Sequence, residues 1–351
     1  MELNWKKLLN IEDTHVVGLD IGSTAIRMVQ MRKEETGYVV TAAHTANIQS
    51  AKPDDTEAQE MNTVRAIDEC FRTTEVETRF AVCGVCGPEV AVRYFKFPTL
   101  PSEEVQGAVL LEAAQVCPFN IDSSTVDYQL IPNGDDSISG VLVAATNKLI
   151  ENKVKLAREA SVECVLMDVD GLALLNCFDE HERGETSQTT AVLNIGNTYT
   201  TLAISGPNSL PFIRDIHYAG GEIVKEIALK KGVSEEEVRK NLLSDDYQVA
   251  EGFDMNGTWE KACNKLIVDV NETLRYYSTQ EKSSAVEKIL VCGFAQVKGF
   301  VEMLNSRITA ETVLWNPFEK IPCDVNPSCR ETLQKNGPAM AVAAGLAMRL
   351  I

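Results

Sequence analysis

Asp20 and Asn194 sit in two copies of one short phrase, Leu19-Asp20-Ile21-Gly22-Ser23-Thr24 and Leu193-Asn194-Ile195-Gly196-Asn197-Thr198. The copies lie 174 residues apart (194 − 20) in a chain of 351, close to half its length. Apolar, β-favouring residues flank both: Val16-Val17 and Met28-Val29 in the first, Ala191-Val192 and Leu202-Ala203 in the second. Each copy therefore reads as strand, tight turn, strand. A chain of this length also exceeds what one hydrophobic core serves well. Together these features predict a duplicated, two-lobe α/β architecture.

After the first hairpin, Tyr38 to Ala46 reads as a third strand, Met61 to Thr74 as a helix with apolar spacing at Val64, Ile67 and Phe71, and Phe80 to Val85 as a fourth strand. The pattern then changes. Strand Val90 to Lys96, helix Ser102 to Val116, strand Thr125 to Ile131, a turn at Asn133-Gly134 and strand Val141 to Ala145 read as a small inserted α/β module, bounded at residues 88–140. Ser102 is the predicted N-cap of its helix, Glu103 and Glu104 suit the positive end of the helix dipole, and Pro118 stands just past the end. Residues 1–87 and 141–186 form the predicted first lobe, completed by helix Asn147 to Ala160, strand Cys164 to Val169 and helix Leu172 to Phe178. The polar stretch Asp179 to Gln188 leads into the second lobe, residues 187–351, with a helical region at about 222–280 and strand Lys288 to Cys292. The apolar run Ala339 to Ala347 is predicted as a buried helix, started by Gly337-Pro338 and packed on the first lobe.

A strand ending in Asp-Ile-Gly-Ser-Thr offers backbone N–H groups and two hydroxyls, Ser23 and Thr24, at a turn where Gly22 admits a ligand close to the chain. That is how a phosphate is cradled, with Asp20 facing it through a hydrated Mg²⁺. One copy alone reads better as an ordinary hairpin turn with a capping Asp. Two copies on two lobes read as a pair of turns, the second carrying Gly196, Asn197 and Thr198, that grip a polyphosphate. A third glycine element, Ile289 to Ala295 around Gly293, resembles a strand-to-helix turn that meets an adenosine.

Other classes are disfavoured. With 51 acidic against 33 basic residues and a net charge of −18, the chain would repel a nucleic-acid backbone. Its ten cysteines are scattered, several in apolar runs, which suits a reducing cytoplasm. The C-x-x-C pair Cys83 and Cys86 lacks a second pair at zinc spacing. The start, Met1 to Lys7, has no apolar h-region, and no run approaches the roughly 20 apolar residues that cross a bilayer. Trp5, Leu8, Leu9 and Ile11 make a brief amphipathic segment, read as packing rather than as a membrane contact.

The order of the three glycine elements resembles the phosphate and adenosine motifs of actin-like (RNase H-like) ATPases. In detail the chain resembles the PilM family of type IV pilus assembly proteins. The likeness rests on Val17 to Ser23, Leu100-Pro101-Ser102-Glu103-Glu104, Pro118-Phe119, Asp127-Tyr128-Gln129, Val143-Ala144-Ala145 and Asp168-Val169-Asp170. It continues through Arg214-Asp215-Ile216 before Gly220-Gly221-Glu222, Leu274-Arg275-Tyr276-Tyr277 and Asn316-Pro317-Phe318. The resemblance implies an actin-like fold sharing the relocated small subdomain of the division protein FtsA. It also implies a cytoplasmic scaffold at the inner-membrane face of a type IV pilus or related type II secretion apparatus. Such a scaffold holds the cytoplasmic tail of a PilN-like membrane protein in a groove beside the inserted module, links it to the assembly motor proteins and meets the membrane only through partners, with self-association left open.

For the pocket, the resemblance places Arg27 where the family often has Lys, Asp269 and Glu272 on the helix that faces the nucleoside, and Gly220, Gly221, Gly293 and Ala295 along the nucleotide. Asn194 stands where the pattern has Asp, and Cys292 and Phe294 flank Gly293 where consecutive glycines are usual. An amide brings no charge to a metal. These departures predict weakened binding of ATP and Mg²⁺ and weak or absent hydrolysis. Two rivals remain: an FtsA-like division filament, which expects a terminal amphipathic anchor, and an active ATPase or sugar kinase, which expects the carboxylate that Asn194 replaces.

Overall fold

The structure is a computed structural model that describes residues 16–35, 37–52, 54–131, 137–181, 188–205, 210–243, 256–280, 284–297 and 299–349. The segment at Trp5, Leu8, Leu9 and Ile11, the turn at Asn133-Gly134 and most of the Asp179 to Gln188 connection lie outside these residues. In chain order the elements are β1 (Val17–Ile21), β2 (Ala25–Glu34), β3 (Gly37–Asn47), α1 (Thr56–Thr74), β4 (Phe80–Val85), β5 (Val90–Pro98), α2 (Ser102–Val116), β6 (Ser124–Ile131) and β7 (Ser137–Thr146). They continue with α3 (Asn147–Glu159), β8 (Glu163–Val169), α4 (Asp170–His181), β9 (Thr190–Ile195), β10 (Thr200–Ser205), β11 (Pro211–Ile216), α5 (Gly220–Lys231), α6 (Glu235–Leu243) and α7 (Asn256–Ser278). The last are β12 (Lys288–Gly293), α8 (Phe300–Asn305), β13 (Glu311–Leu314), α9 (Pro327–Asn336) and α10 (Ala341–Ala347).

The chain divides into two compact units, one of residues 1–85, 150–184 and 316–351, the other of residues 86–149 and 185–315. The first unit holds a sheet in the order β3-β2-β1-β4-β8, the second a sheet in the order β11-β10-β9-β12-β13. Each is an antiparallel meander of three strands extended by two parallel strands. The register repeats as well: Asp20 pairs with Arg27 and Ile21 with Ile26, while Asn194 pairs with Thr201 and Ile195 with Thr200. The same step along the chain carries Asp20 to Asn194 and Arg27 to Thr201. The repeated phrase is thus a repeated hairpin.

Alternation along the strands sends one set of side chains into a core on each sheet. In the first unit Val17, Leu19 and Ile21 join Ile67 and Phe71 of α1; in the second Leu193, Ile195 and Val291 join α5 and α7 through Ile223, Ile227 and Leu266. A third sheet, β5-β7-β6, belongs to the second unit and is covered by α2 through Phe95, Val105, Val109, Ala113 and Leu142.

Three local expectations are corrected. Ser102 is the first residue of α2 rather than its cap. Pro101 holds the cap position with extended backbone (φ −55°, ψ 143°), and its carbonyl accepts from Glu104 N–H at 2.9 Å. The helical region at about 222–280 is interrupted because Gly232, at φ +67°, closes α5 in the left-handed conformation that glycine tolerates. Gly337-Pro338 opens a 3₁₀ turn, Gly337–Met340, and α10 begins only at Ala341.

Every residue of α10 is buried, as an all-apolar helix requires. It packs on β1, where a Cβ on Gly18 would overlap the Ala343 carbonyl and come within 2.5 Å of the Ala347 nitrogen. On its other side a Cβ on Gly345 would overlap the Ala173 carbonyl of α4. Helix and strand therefore meet backbone to backbone. Gly18→Ala should destabilise the protein by about 3 kcal/mol through overpacking, read by urea denaturation. Gly107→Ala, in α2 with open space at the new methyl, should stabilise it by about 0.5 kcal/mol or more. Equal midpoints for the two variants would contradict this packing.

Candidate functional site

At the end of β1 the chain turns through Gly22, whose N–H donates to the Ala25 carbonyl at 3.2 Å. A Cβ on Gly22 would stand 2.7 Å from that carbonyl, so only glycine closes the turn so tightly. Ser23 and Thr24 present their side chains to solvent at its tip. Asp20 lies across from Arg27 and pairs with it, Nη1 to Oδ2 at 3.3 Å. The Arg27 Nε is buried with no hydrogen-bond partner, and Nη1 lies 3.4 Å from the Gly22 Cβ position. From α3, Lys153 Nζ donates to the Ile21 carbonyl. Two cations therefore border the first turn, and one already neutralises its carboxylate. Lys153 escaped the sequence reading because nothing local distinguishes it from Lys148 or Lys155 on the same helix.

The second turn repeats the closure, with Gly196 N–H donating to the Tyr199 carbonyl at 3.0 Å and a Gly196 Cβ again 2.7 Å from it. Its surroundings differ. Asp215, Thr201, Asn194 and Cys292 form one row across four strands. The Thr201 hydroxyl donates to Asp215 Oδ1 at 2.6 Å, and the Cys292 thiol to Asn194 Oδ1 at 3.6 Å. Gly87 N–H donates to Asp215 Oδ2 at 2.7 Å. Burial raises the Asp215 pKa, with the Thr201 hydroxyl and Gly87 N–H opposing the rise.

The remaining second-unit residues expected along a nucleotide are engaged with one another. Gly220 and Gly221, at the start of α5, donate their N–H groups to the Gly196 and Asn197 carbonyls at 3.0 and 2.9 Å. Asn197 Oδ1 accepts from Arg239 Nη2 at 3.1 Å, and Thr198 is exposed at the turn's tip. Gly293 has φ +75°, and a Cβ there would overlap the Ile195 carbonyl and stand 2.7 Å from Asn194 Oδ1. Cys292 and Ala295 are buried, and the Phe294 ring packs with Trp259 and Phe300 and against Gly220. Asp269 and Glu272 instead line a cavity of about 540 Å³ with Arg214, Asp215, His217 and Tyr276, and Asp269 pairs with Lys265 at 2.9 Å.

The N–H groups of Gly22 and Gly196 are spent on closing their own turns. Asp20, the carboxylate expected to face a metal, is held by Arg27, and the matching position in the second unit is the amide Asn194. The ten cysteines are all free.

A family model described as type IV pilus assembly protein PilM matches residues 18–351. Among solved structures, the "PilM-PilN type IV pilus biogenesis complex" is similar with TM-score 0.77 at 22% identity, covering 95% of this chain and 98% of that one. Ethanolamine utilization protein EutJ from Carboxydothermus hydrogenoformans follows at TM-score 0.55 and 14% identity, covering 95% and 89%. A diol dehydratase-reactivating factor in nucleotide-free form stands at 0.54 and 8%, covering 95% and 98%. At these identities the likeness is one of fold, and the fold is actin-like.

The raised pKa of Asp215 has a defined consequence for stability. A carboxyl whose folded pKa lies above its unfolded value contributes fully below the unfolded pKa and loses that contribution as pH rises through the folded pKa. The stability of the wild type relative to Asp215→Asn should therefore fall as pH rises from about 4, measured by urea denaturation across pH 4 to 7 (a range of about three units). A pH-independent difference would mean that burial does not govern this group.

Proposed function

The chain belongs to the type IV pilus assembly protein PilM family, and we propose that it is an actin-like scaffold of a pilus inner-membrane platform, holding the cytoplasmic tail of a PilN-like membrane protein. The family match across residues 18–351 carries this reading. No helix among the described residues is long and apolar enough to cross a membrane. In this proposal the chain reaches the inner-membrane face through its partner.

The β5-β7-β6 sheet with α2 serves in this reading as the inserted subdomain beside the tail. Its exposed Tyr94, Leu110, Leu111 and Leu130 support an interface there, since large apolar side chains gathered on one small module favour association. Leu111, 68% exposed, is free of the core. Leu111→Asp should leave the fold intact and weaken capture of a PilN-like N-terminal peptide roughly tenfold, as loss of an interface anchor does. Unchanged capture would remove α2 from the interface, and no capture by the wild type would overturn the scaffold reading itself.

Nucleotide is proposed to bind weakly and without productive turnover. When bound, Mg²⁺-ATP would supply a compact polyanion. In the first unit Arg27 and Lys153 would neutralise part of its charge beside the Gly22 turn. The uncharged amide of Asn194 is the feature that separates this pocket from a hydrolytic one. Asn194→Asp should tighten Mg²⁺-ATP binding by about 1–2 kcal/mol, in line with a hydrogen bond to a charged group, and EDTA should erase the gain. Calorimetric titration of both proteins decides it: equal affinity would mean that position 194 does not face the metal.

A further inference from the structure

Cys83 has a thiol partner outside its C-x-x-C phrase. It stands on β4, fully buried in the core of the first unit, and Cys164 stands on β8, half-buried against the same core. The two strands run parallel, and β8 carries one extra residue: Ala81 lies opposite Cys164 and Val82 opposite Leu166, with Val165 between. Such a bulge shifts the parity of a strand. Cys164 and Met167, an odd step apart, both pack on the core, and Cys83, opposite Met167, has Cys164 as its diagonal neighbour. The thiols are hydrogen-bonded, Cys83 donating to Cys164, and the Cys164 thiol donates in turn to the Leu166 carbonyl at 3.3 Å. β8 is the edge of its sheet, paired among the described residues with β4 alone. Drawing the two sulfurs together therefore moves one bulged edge strand and leaves the interior of the sheet in place.

The two thiols are unequal. The hydrogen bond from Cys83 favours the thiolate of Cys164 and lowers its pKa, against the effect of burial. The same hydrogen bond, with complete burial, pushes the Cys83 pKa well up, so Cys83 keeps its proton. By contrast burial, aided by Glu69 and Glu226, pushes Cys70 and Cys263 up to about 12. A half-buried thiol that ionises readily, with a second thiol beside it, is the arrangement oxidants select.

We propose that Cys164 and Cys83 are a peroxide-sensitive pair, in which Cys164 takes up the oxidant and Cys83 closes a reversible disulfide between β8 and β4. The Cys164 sulfur attacks one oxygen of a hydroperoxide and the O–O bond breaks. Sulfur is oxidised to the sulfenic acid, and the other oxygen leaves with the proton that Cys164 gave up, as water when the oxidant is hydrogen peroxide. The Cys83 sulfur then attacks the Cys164 sulfur, the S–O bond breaks, and the hydroxyl leaves as water with the Cys83 proton. Two electrons pass from the sulfurs to the peroxide, and a dithiol reductant returns them. Where thiols are otherwise kept reduced, such a bond is transient and serves as a sensor. It would join the strand that leads into the inserted module to the strand that follows the module and α3.

The full chain is treated with hydrogen peroxide, quenched with N-ethylmaleimide and digested without reductant. Mass spectrometry should find the number of alkylated thiols lower by two and a peptide pair joined through Cys83 and Cys164, placed by fragment ions; dithiothreitol should release it. Cys86→Ser should keep the link, and this variant leaves both members of the pair intact. Cys164→Ser should lose it. Cys83→Ala should also lose it while leaving Cys164 as a sulfenic acid captured by dimedone, a product that a merely structural thiol does not give. Thermal melts of the reduced proteins show that the variants are folded. The proposal is overturned if peroxide leaves the wild type without the link, if the link runs to Cys86 instead, if it forms only between chains or only after denaturation, or if folded Cys83→Ala gives no dimedone adduct at Cys164.

Discussion

Both glycine turns depend on one backbone hydrogen bond, a glycine N–H donating to the carbonyl three residues on, at a separation a side chain would prevent. That bond ends the outgoing strand, reverses the chain and sets the register of the returning one. Because β1 and β9 each lie at the centre of a five-stranded sheet, the register passes on to the strands around them. It also fixes which residue stands second from the strand's end, on the face away from the helical core. Position 20 in one unit and position 194 in the other are products of this closure.

With backbone geometry held constant, the two units differ in where charge resides. In the first, carboxylate and guanidinium face each other on neighbouring strands, Asp20 against Arg27. In the second, the matching pair is Asn194 and Thr201, both uncharged, and the row's carboxylate lies one strand further out at Asp215. There it binds Thr201 and the backbone of Gly87, ahead of β5. The carboxylate in this row is engaged in contacts within the protein.

The sequence disclosed most where a local pattern had no competing solution. The hairpins were legible because the repeated phrase preserves spacing and apolar parity, and α2 was legible at both ends, since Pro101 and Cys117 bound an uninterrupted helical run. Its cap was not, because Ser102 meets the preference for an N-cap while Pro101 already has the required extended backbone. Long-range placement was less accessible. Lys153 reaches the first turn through the fold of α3 back onto β1, and Asp269 and Glu272 line the cavity beside β11 because Trp259, Ala262 and Leu266 commit the opposite face of α7 to the core. No spacing within a single segment encodes those meetings.

The seating of α10 on β1 has a consequence in time. Val17 to Ile21 form the first described strand, and the helix that covers them through Gly18 comes from residues 341–347. During synthesis the first sheet must wait, one face bare, while more than three hundred residues (343 − 18) emerge. Contacts of such sequence separation fold slowly and expose apolar surface meanwhile. The second unit, whose sheet draws on residues 190–314, can complete its core earlier. Vectorial synthesis would therefore assemble this protein out of order, its second half closing before its first, and a ribosome-associated chaperone would find its longest-lived target in the uncovered face of β1.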